Sequence, residues 1–124
     1  MKNYKDLEIY QMAYSLAIDV HKMSLKLPNY ELYEQGSQVR RSSKSIKDNI
    51  VEGYGRRKYK NEYLKFLIYA QSSCDETMSQ IEMINDLHFS DSTLHPLLTH
   101  YDILGKKINS YIQYVEKFWN DNKI

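Results

Sequence analysis

The feature that most constrains the fold of this chain is the return of apolar side chains at every third or fourth position along four long stretches. This spacing collects side chains on one face of an α-helix. The stretches span about residues 6–27, 31–52, 61–87 and 91–120. Only four glycines and two prolines occur in 124 residues, so little in the sequence opposes helix formation. We therefore predict an all-α protein with four helices.

The predicted helices are long and the connections between them are short. At 1.5 Å per residue the helices are rods of roughly 30–45 Å, and short connections force consecutive rods to run antiparallel. The sequence predicts an antiparallel up-down-up-down four-helix bundle in a single domain, residues 1–124. We expect Gly53 and Gly55 to end the second helix, because glycine is favoured just past a helix C-terminus.

The first predicted helix carries a second apolar stripe beside the one that faces the core, and Tyr10 and Tyr14 belong to it. A surface helix of a monomer needs only one buried stripe. Tyrosine is also favoured at protein interfaces, and twelve tyrosines are many for this length. Either this helix is unusually buried within the bundle or a neighbouring copy of the chain covers the second stripe; our hypothesis is that Tyr10 and Tyr14 contact such a copy.

The sequence has the character of a cytoplasmic protein. Cys74 is the only cysteine, so no disulfide can form within the chain and a reducing compartment is the simplest expectation. The N-terminus carries charges every few residues, unlike a signal peptide. No apolar run approaches the roughly 18–20 residues that cross a bilayer, so we expect no membrane association.

The motifs of common catalytic and metal sites are missing. No glutamate is followed by a histidine three residues later, as a di-iron bundle requires, and the zinc-protease motif His-Glu-x-x-His is absent. Ser42, Ser43 and Ser45 would need a base and an orienting group to act as nucleophiles, and none is indicated. Gly-Tyr-Gly at residues 53–55 matches neither nucleotide-binding fingerprint. The sequence predicts no metal, no cofactor and no enzymatic activity.

A polar stripe accompanies the apolar face of the second helix. We call it the polar seam; it comprises Gln38, Arg41, Ser45, Asn49, Glu52 and, from the third helix, Glu76. In a structural role it would bond to Glu76, Gln80 or Tyr69, or across a subunit contact, and fix helix register, because an unpaired buried polar group costs about 1–3 kcal/mol. In a functional role it would line a ligand groove. We favour the structural role.

Positive charge is concentrated around the connection between the second and third helices. Residues 40–65 hold nine basic and three acidic side chains, whereas the rest of the chain holds eight basic and thirteen acidic ones. Lysine and arginine neutralise phosphates, and aromatic rings stack on unpaired bases. This predicts RNA or DNA as a partner, with contacts at Arg40, Lys44, Lys47, Arg56, Arg57, Lys58, Lys60, Tyr54 and Tyr59. The alternative is a solvated hinge, in which Glu52 and Glu62 pair with part of the segment.

Four stretches resemble one protein family. Residues 6–10 read Asp-Leu-Glu-Ile-Tyr, residues 38–41 read Gln-Val-Arg-Arg, residues 49–56 read Asn-Ile-Val-Glu-Gly-Tyr-Gly-Arg, and residues 62–67 read Glu-Tyr-x-x-Phe-Leu. The chain is similar at these places to the bacterial four helix bundle proteins. These are also called ribosomal-RNA intervening-sequence proteins, because some are encoded inside insertions in large-subunit ribosomal RNA genes.

The resemblance implies a symmetric homo-oligomer, with a pentameric ring as the usual form of the family. It also implies a non-enzymatic protein, for which nucleic-acid binding is the common suggestion. Related bundles accompany the reverse transcriptases of diversity-generating retroelements as accessory subunits. A second hypothesis is a scaffold or accessory subunit that binds another protein, with the double stripe of the first helix and the tyrosines as contact surface, and does not itself contact nucleic acid.

Overall fold

The four periodic stretches lie largely in four long helices. The structure is a computed structural model that describes residues 3–89, 91 and 93–120. A turn of 3-10 helix, Tyr4–Asp6, is followed by α1 (Glu8–Ser24), the single-turn α2 (Asn29–Leu32), α3 (Gln35–Gly55), α4 (Lys60–His88) and α5 (His95–Phe118). The described residues include no β-strand, so the predicted all-α four-helix bundle is confirmed. Of the helices described, none is both apolar enough and long enough to cross a bilayer.

The order of the long helices around the bundle follows from their contacts. Helix α3 packs between α1 and α4, α4 packs against α5, and α5 returns to contact α1. Along the α3–α4 interface, Ser42 bonds to Gln80 and Ser45 bonds to Ser73. As residue numbers rise along α3, the numbers of their partners fall along α4. The two helices therefore run antiparallel.

The apolar stripes meet in one core cluster between the long helices. Val39, Ile46 and Ile50 of α3 have no exposed surface, and the same is true of Leu67 and Ile81 of α4. These residues are the ones that recur at three-and-four spacing in the sequence. Burying an aliphatic side chain of this size contributes about 1.5–3 kcal/mol, so the stripes account for the helix packing.

Three helix boundaries differ from the sequence prediction. The first predicted helix, 6–27, is observed as Glu8–Ser24, because Asp6 lies in the 3-10 turn and its carboxylate accepts from the Asn3 N–H. The second, 31–52, is split into α2 and α3, since Glu34 has a non-helical backbone (φ −101°, ψ −99°). The fourth, 91–120, is observed only over His95–Phe118; Asp91 has φ 57°, in the left-handed region.

Gly53 does not end the second predicted helix. Helix α3 continues to Gly55, and Gly53 lies buried within it. A Cβ at position 53 would lie 3.0 Å from Phe66 Cβ and 3.3 Å from Tyr63 Cδ1. The absence of a side chain at Gly53 therefore lets α3 approach α4 closely. The chain then enters residues 56–60, which join the two helices and which we call the basic turn.

Candidate nucleic-acid interface

The turn between α3 and α4 is fixed to the end of α5. Arg57 lies over the ring of Tyr54, with its Cζ 4.0 Å from the ring centroid, and its Nη1 donates to the Tyr54 carbonyl at 2.9 Å. The Trp119 Nε1–H donates to the Arg57 carbonyl at 2.7 Å. Lys60 Nζ donates to the Glu116 carbonyl at 2.6 Å. Two hydrogen bonds thus join the basic turn to the last turn of α5.

Arg56 lies between two carboxylates. Its Nε is 2.9 Å from Glu52 Oε2, and its Nη1 is 3.1 Å from Glu62 Oε1. The hydrogen bond that Arg56 donates to Glu52 raises the pKa of Arg56, and the hydrogen bond that Lys65 donates to Glu62, together with the pairing with Arg56, lowers the pKa of Glu62. This is the pairing with Glu52 and Glu62 that the alternative of a solvated hinge predicts.

Three other basic residues that the sequence predicts to contact nucleic acid have partners within the described chain. Arg40 is directed into the bundle, where it donates to Ser24 Oγ and to the Leu32 carbonyl, both at 2.8 Å. Lys44 is directed towards α1, with its Nζ 3.2 Å from His21 Nδ1. Lys47 forms an ion pair with Asp48. Arg40 therefore does not belong to the outward basic surface.

Positive charge without an ion-pair partner in the described chain remains at Arg41, Arg57 and Lys58; Arg41 and Lys58 are exposed, whereas Arg57 is half-buried over Tyr54. Among the residues that the structure describes, none of the three forms an ion pair, and Lys58 lies 5.9 Å from the centroid of the Tyr59 ring. Asp48, Glu52 and Glu62, which pair with basic residues of the segment 40–65, belong to that segment themselves. These pairs leave the net charge of the segment unchanged at six positive charges.

The two tyrosines predicted to contact nucleic acid have different environments. Tyr54 is buried, and its ring is covered by Arg57. Tyr59, which caps the start of α4, is 58% exposed. Tyr59 is thus placed to stack on an unpaired base, whereas Tyr54 supports the turn.

The polar seam lies along the α3–α4 interface, and hydroxyl groups make its cross-helix bonds. Ser42 Oγ donates to Gln80 Oε1 at 2.6 Å, and Thr77 Oγ1 lies 2.9 Å from Ser42 Oγ. Ser45 and Ser73 bond through their hydroxyls at 3.0 Å. The polar seam predicted from the sequence does not include Ser42, Ser73 or Thr77. Thr77 lies at the three-and-four spacing of the apolar face of α4, and a hydroxyl buried there needs a hydrogen-bond partner.

The other seam residues border open depressions in the same interface. Asn49 Nδ2 donates to the Ser45 carbonyl at 2.9 Å, within its own helix. Gln38, Arg41 and Glu76 line one depression, together with Ser42, Ser45 and Gln80. A second depression of about 570 Å³ is lined by Arg41, Lys44, Ser45, Asp48, Asn49, Glu52, Arg56 and Phe66. A shallow polar track with both basic and acidic side chains therefore follows α3 from Arg41 to Arg56, about 22 Å at 1.5 Å per residue.

Tyr10 and Tyr14 lie near an apolar groove between α1 and α3. Tyr10 is half-buried and packs edge-on against Tyr4, with centroids 5.0 Å apart; burial raises its pKa. Tyr14 is 47% exposed and lines the groove with Ala17 and Ile18. His21, Lys22, Lys44 and Lys47 form the polar rim of this groove.

Cys74 and His88 each have a partner within the bundle. Burial raises the pKa of the Cys74 thiol to about 12, and its Sγ donates to the Tyr101 carbonyl at 3.5 Å. His88 Nε2 lies 2.6 Å from Glu31 Oε2, where it links α2 to the end of α4. Within the described ranges, no three His, Cys, Asp or Glu side chains are grouped as metal ligands would be.

Comparison with known protein families shows a match over most of the chain. Residues 5–110 match the family described as 23S rRNA-intervening sequence protein, which is most of the chain and includes α1 to α4 and part of α5. No curated protein matches the sequence significantly.

Proposed function

We propose that this chain, which belongs to the 23S rRNA-intervening sequence protein family, binds nucleic acid without catalysing a reaction. The observation that carries the proposal is the outward positive charge of α3 and the following turn. Arg41, Arg57 and Lys58 have no carboxylate partner among the described residues. Such side chains neutralise phosphates and release counterions, whichever sequence is bound.

Two further features support a binding role. The basic turn is held by backbone bonds and by the Trp119 and Lys60 contacts to α5, so its charges are presented by a fixed scaffold. The only cysteine is a buried thiol with its pKa raised to about 12, which leaves it far from the thiolate form that a nucleophile requires.

The test is a salt titration of affinity for RNA and DNA of defined length, followed by fluorescence anisotropy. We expect log affinity to fall linearly with log salt. Arg41→Gln with Lys58→Gln should reduce that slope by about 1.4–1.8, because each lost phosphate contact contributes about 0.7–0.9. These two side chains make no hydrogen bond within the described chain, so the variant leaves the fold intact.

The matched control is Lys26→Gln with Lys106→Gln. Both side chains are exposed and lie away from the basic turn, and the variant removes the same net charge. A slope that falls equally in both variants would mean that net charge alone attracts nucleic acid, and the proposed interface would then be wrong.

We propose further that copies of the chain assemble through the apolar groove between α1 and α3. Tyr14 and Ile18 expose 47% and 42% of their surface there, with lysines at the rim. The family resemblance implies five copies. Native mass spectrometry tests this: Ile18→Glu should yield monomers, whereas Ile103→Glu on α5, 40% exposed, should not. A wild-type monomer at micromolar concentration would contradict the proposal.

A second candidate function is a scaffold for another protein, and the outer face of α4 favours it. Residues 66–105 contain six acidic side chains and no lysine or arginine. Asp75, Glu82 and Asp86 are exposed on α4, beside Met83 and Leu87, which are 53% and 58% exposed. A protein partner with a basic, partly apolar surface would fit this face. Asp86→Asn with Glu82→Gln should weaken such a complex and leave nucleic-acid affinity unchanged or increased.

A further inference from the structure

Aromatic side chains gather at the end of the bundle where the basic turn meets α5. The inner ones have structural partners. Tyr63 is fully buried, bonds through its hydroxyl to Tyr111 at 2.7 Å, and packs edge-on against Trp119 with centroids 5.3 Å apart. Tyr54 packs edge-on against Tyr63. These four rings close the end of the core.

The outer aromatic residues continue this cluster to the surface. Tyr111, Tyr114 and Phe118 follow one another along α5 at three- and four-residue spacing, and we call them the aromatic ladder. Their neighbouring centroids lie 5.8 and 5.5 Å apart, with the rings inclined by only 33° and 41°. Tyr114 is 47% exposed and Phe118 is 61% exposed. Two large rings therefore present part of their surface to solvent, side by side.

A cation contacts the exposed end of the ladder, and the basic turn lies beside it. Lys117 Nζ lies 5.5 Å from the centroid of Phe118. The hydrogen bonds from Lys60 to Glu116 and from Trp119 to Arg57 hold the basic turn beside the ladder. Residues 56–60 and 114–120 together contain five basic side chains and one acidic one, and Arg56 among the five pairs with Glu52 and Glu62, which lie outside these ranges. An aromatic surface next to several cations has the chemistry of sites that bind single-stranded nucleic acid, where rings stack on bases and cations contact the phosphates.

We propose that the aromatic ladder and the basic turn form a stacking site for unpaired nucleotides of single-stranded nucleic acid. The proposal rests on the proposed function and adds the form of nucleic acid that this site selects. A duplex keeps its bases stacked on one another and offers these rings no free base face. The family match ends at residue 110, so the whole ladder lies beyond the matched region. The preference for single-stranded nucleic acid is therefore inferred from side chains of this protein that the family match does not cover.

The experiment compares affinities for a fluorescently labelled oligouridylate or oligothymidylate and for a duplex of the same length, both measured with the full chain. Tyr114→Leu with Phe118→Leu removes the exposed rings but keeps apolar, helix-favouring side chains. We expect affinity for the single strand to fall at least about tenfold, given what stacking contributes per base, while the salt slope and the affinity for the duplex stay unchanged. The fluorescence of Trp119, the only tryptophan, should also be quenched on binding of the single strand to the wild type.

The matched control is Tyr30→Leu with Tyr33→Leu, which removes two other exposed rings, 71% and 79% exposed, from the region of α2. Equal losses in both variants, or no loss in the ladder variant, would overturn the proposal and leave salt-dependent binding by the basic turn standing. If native mass spectrometry showed that the ladder variant dissociates an oligomer, the rings would be covered by a second copy, and the proposal would be wrong. If the wild type bound no nucleic acid at low salt, the proposed function itself would fail.

Discussion

Replacing Gly53 with alanine tests whether a close helix contact positions the basic turn. At an open helix position this change stabilises a protein by up to about 1 kcal/mol, because glycine loses more backbone entropy on folding. At position 53 the new Cβ would lie 3.0 Å from Phe66 Cβ and 3.3 Å from Tyr63 Cδ1. Phe66 Cβ is attached directly to the backbone and cannot rotate away, so α3 and α4 must move apart. Overpacking of this kind costs about 1–3 kcal/mol.

We therefore expect Gly53→Ala to lower the free energy of unfolding by up to about 2 kcal/mol, measured by urea denaturation with circular dichroism. Gly55→Ala is the matched control, because a Cβ there meets no atom within 4 Å. Gly55→Ala should be neutral or slightly stabilising, which leaves a difference of about 1–3 kcal/mol between the two variants. If Gly53→Ala proved as stable as Gly55→Ala, the close approach of α3 and α4 would not constrain this position.

Two other predictions concern buried groups. Burial raises the pKa of Cys74 from 9.0 to about 12, and also raises the pKa of Tyr101, so the unfolded chain loses these protons at lower pH than the folded chain does. The free energy of unfolding should therefore fall above about pH 9 because of Cys74 and above about pH 10 because of Tyr101, by up to about 1.4 kcal/mol per pH unit for each group. Cys74→Ala should remove the contribution of Cys74, and a urea midpoint that does not change with pH in this range would contradict the prediction. Ser42→Ala and Thr77→Val should each cost about 1 kcal/mol in urea denaturation, and the double variant should cost less than their sum because the two hydroxyls share a bond; full additivity would argue against that bond.

Apolar spacing was sufficient to predict the fold. The stripes of α3 and α4 are buried where their periodicity places them, because helix packing leaves few other ways to remove them from water. The boundaries depend on local backbone geometry that spacing does not report. The break at Glu34 and the left-handed backbone of Asp91 are examples.

The candidate interface was predicted less completely. A cluster of basic residues indicates charge but does not show which way each side chain is directed. Arg40 turns inward because Ser24 Oγ and the Leu32 carbonyl, both distant in sequence, offer acceptors there. The contact of Trp119 with Arg57 spans 62 positions and joins parts of the chain that no local pattern relates. Tertiary contacts, rather than composition, decide which cations remain available.

The dependence of affinity on salt, measured with the wild-type chain in its native assembly, tests the central claim most directly. We predict measurable binding of RNA or DNA at low salt and a linear fall of log affinity with log salt, with a slope of several units because several phosphates are contacted in the assembly. An absence of binding at low salt, or an affinity that does not change with salt, would contradict the claim that the outward cations of α3 and the basic turn contact phosphates.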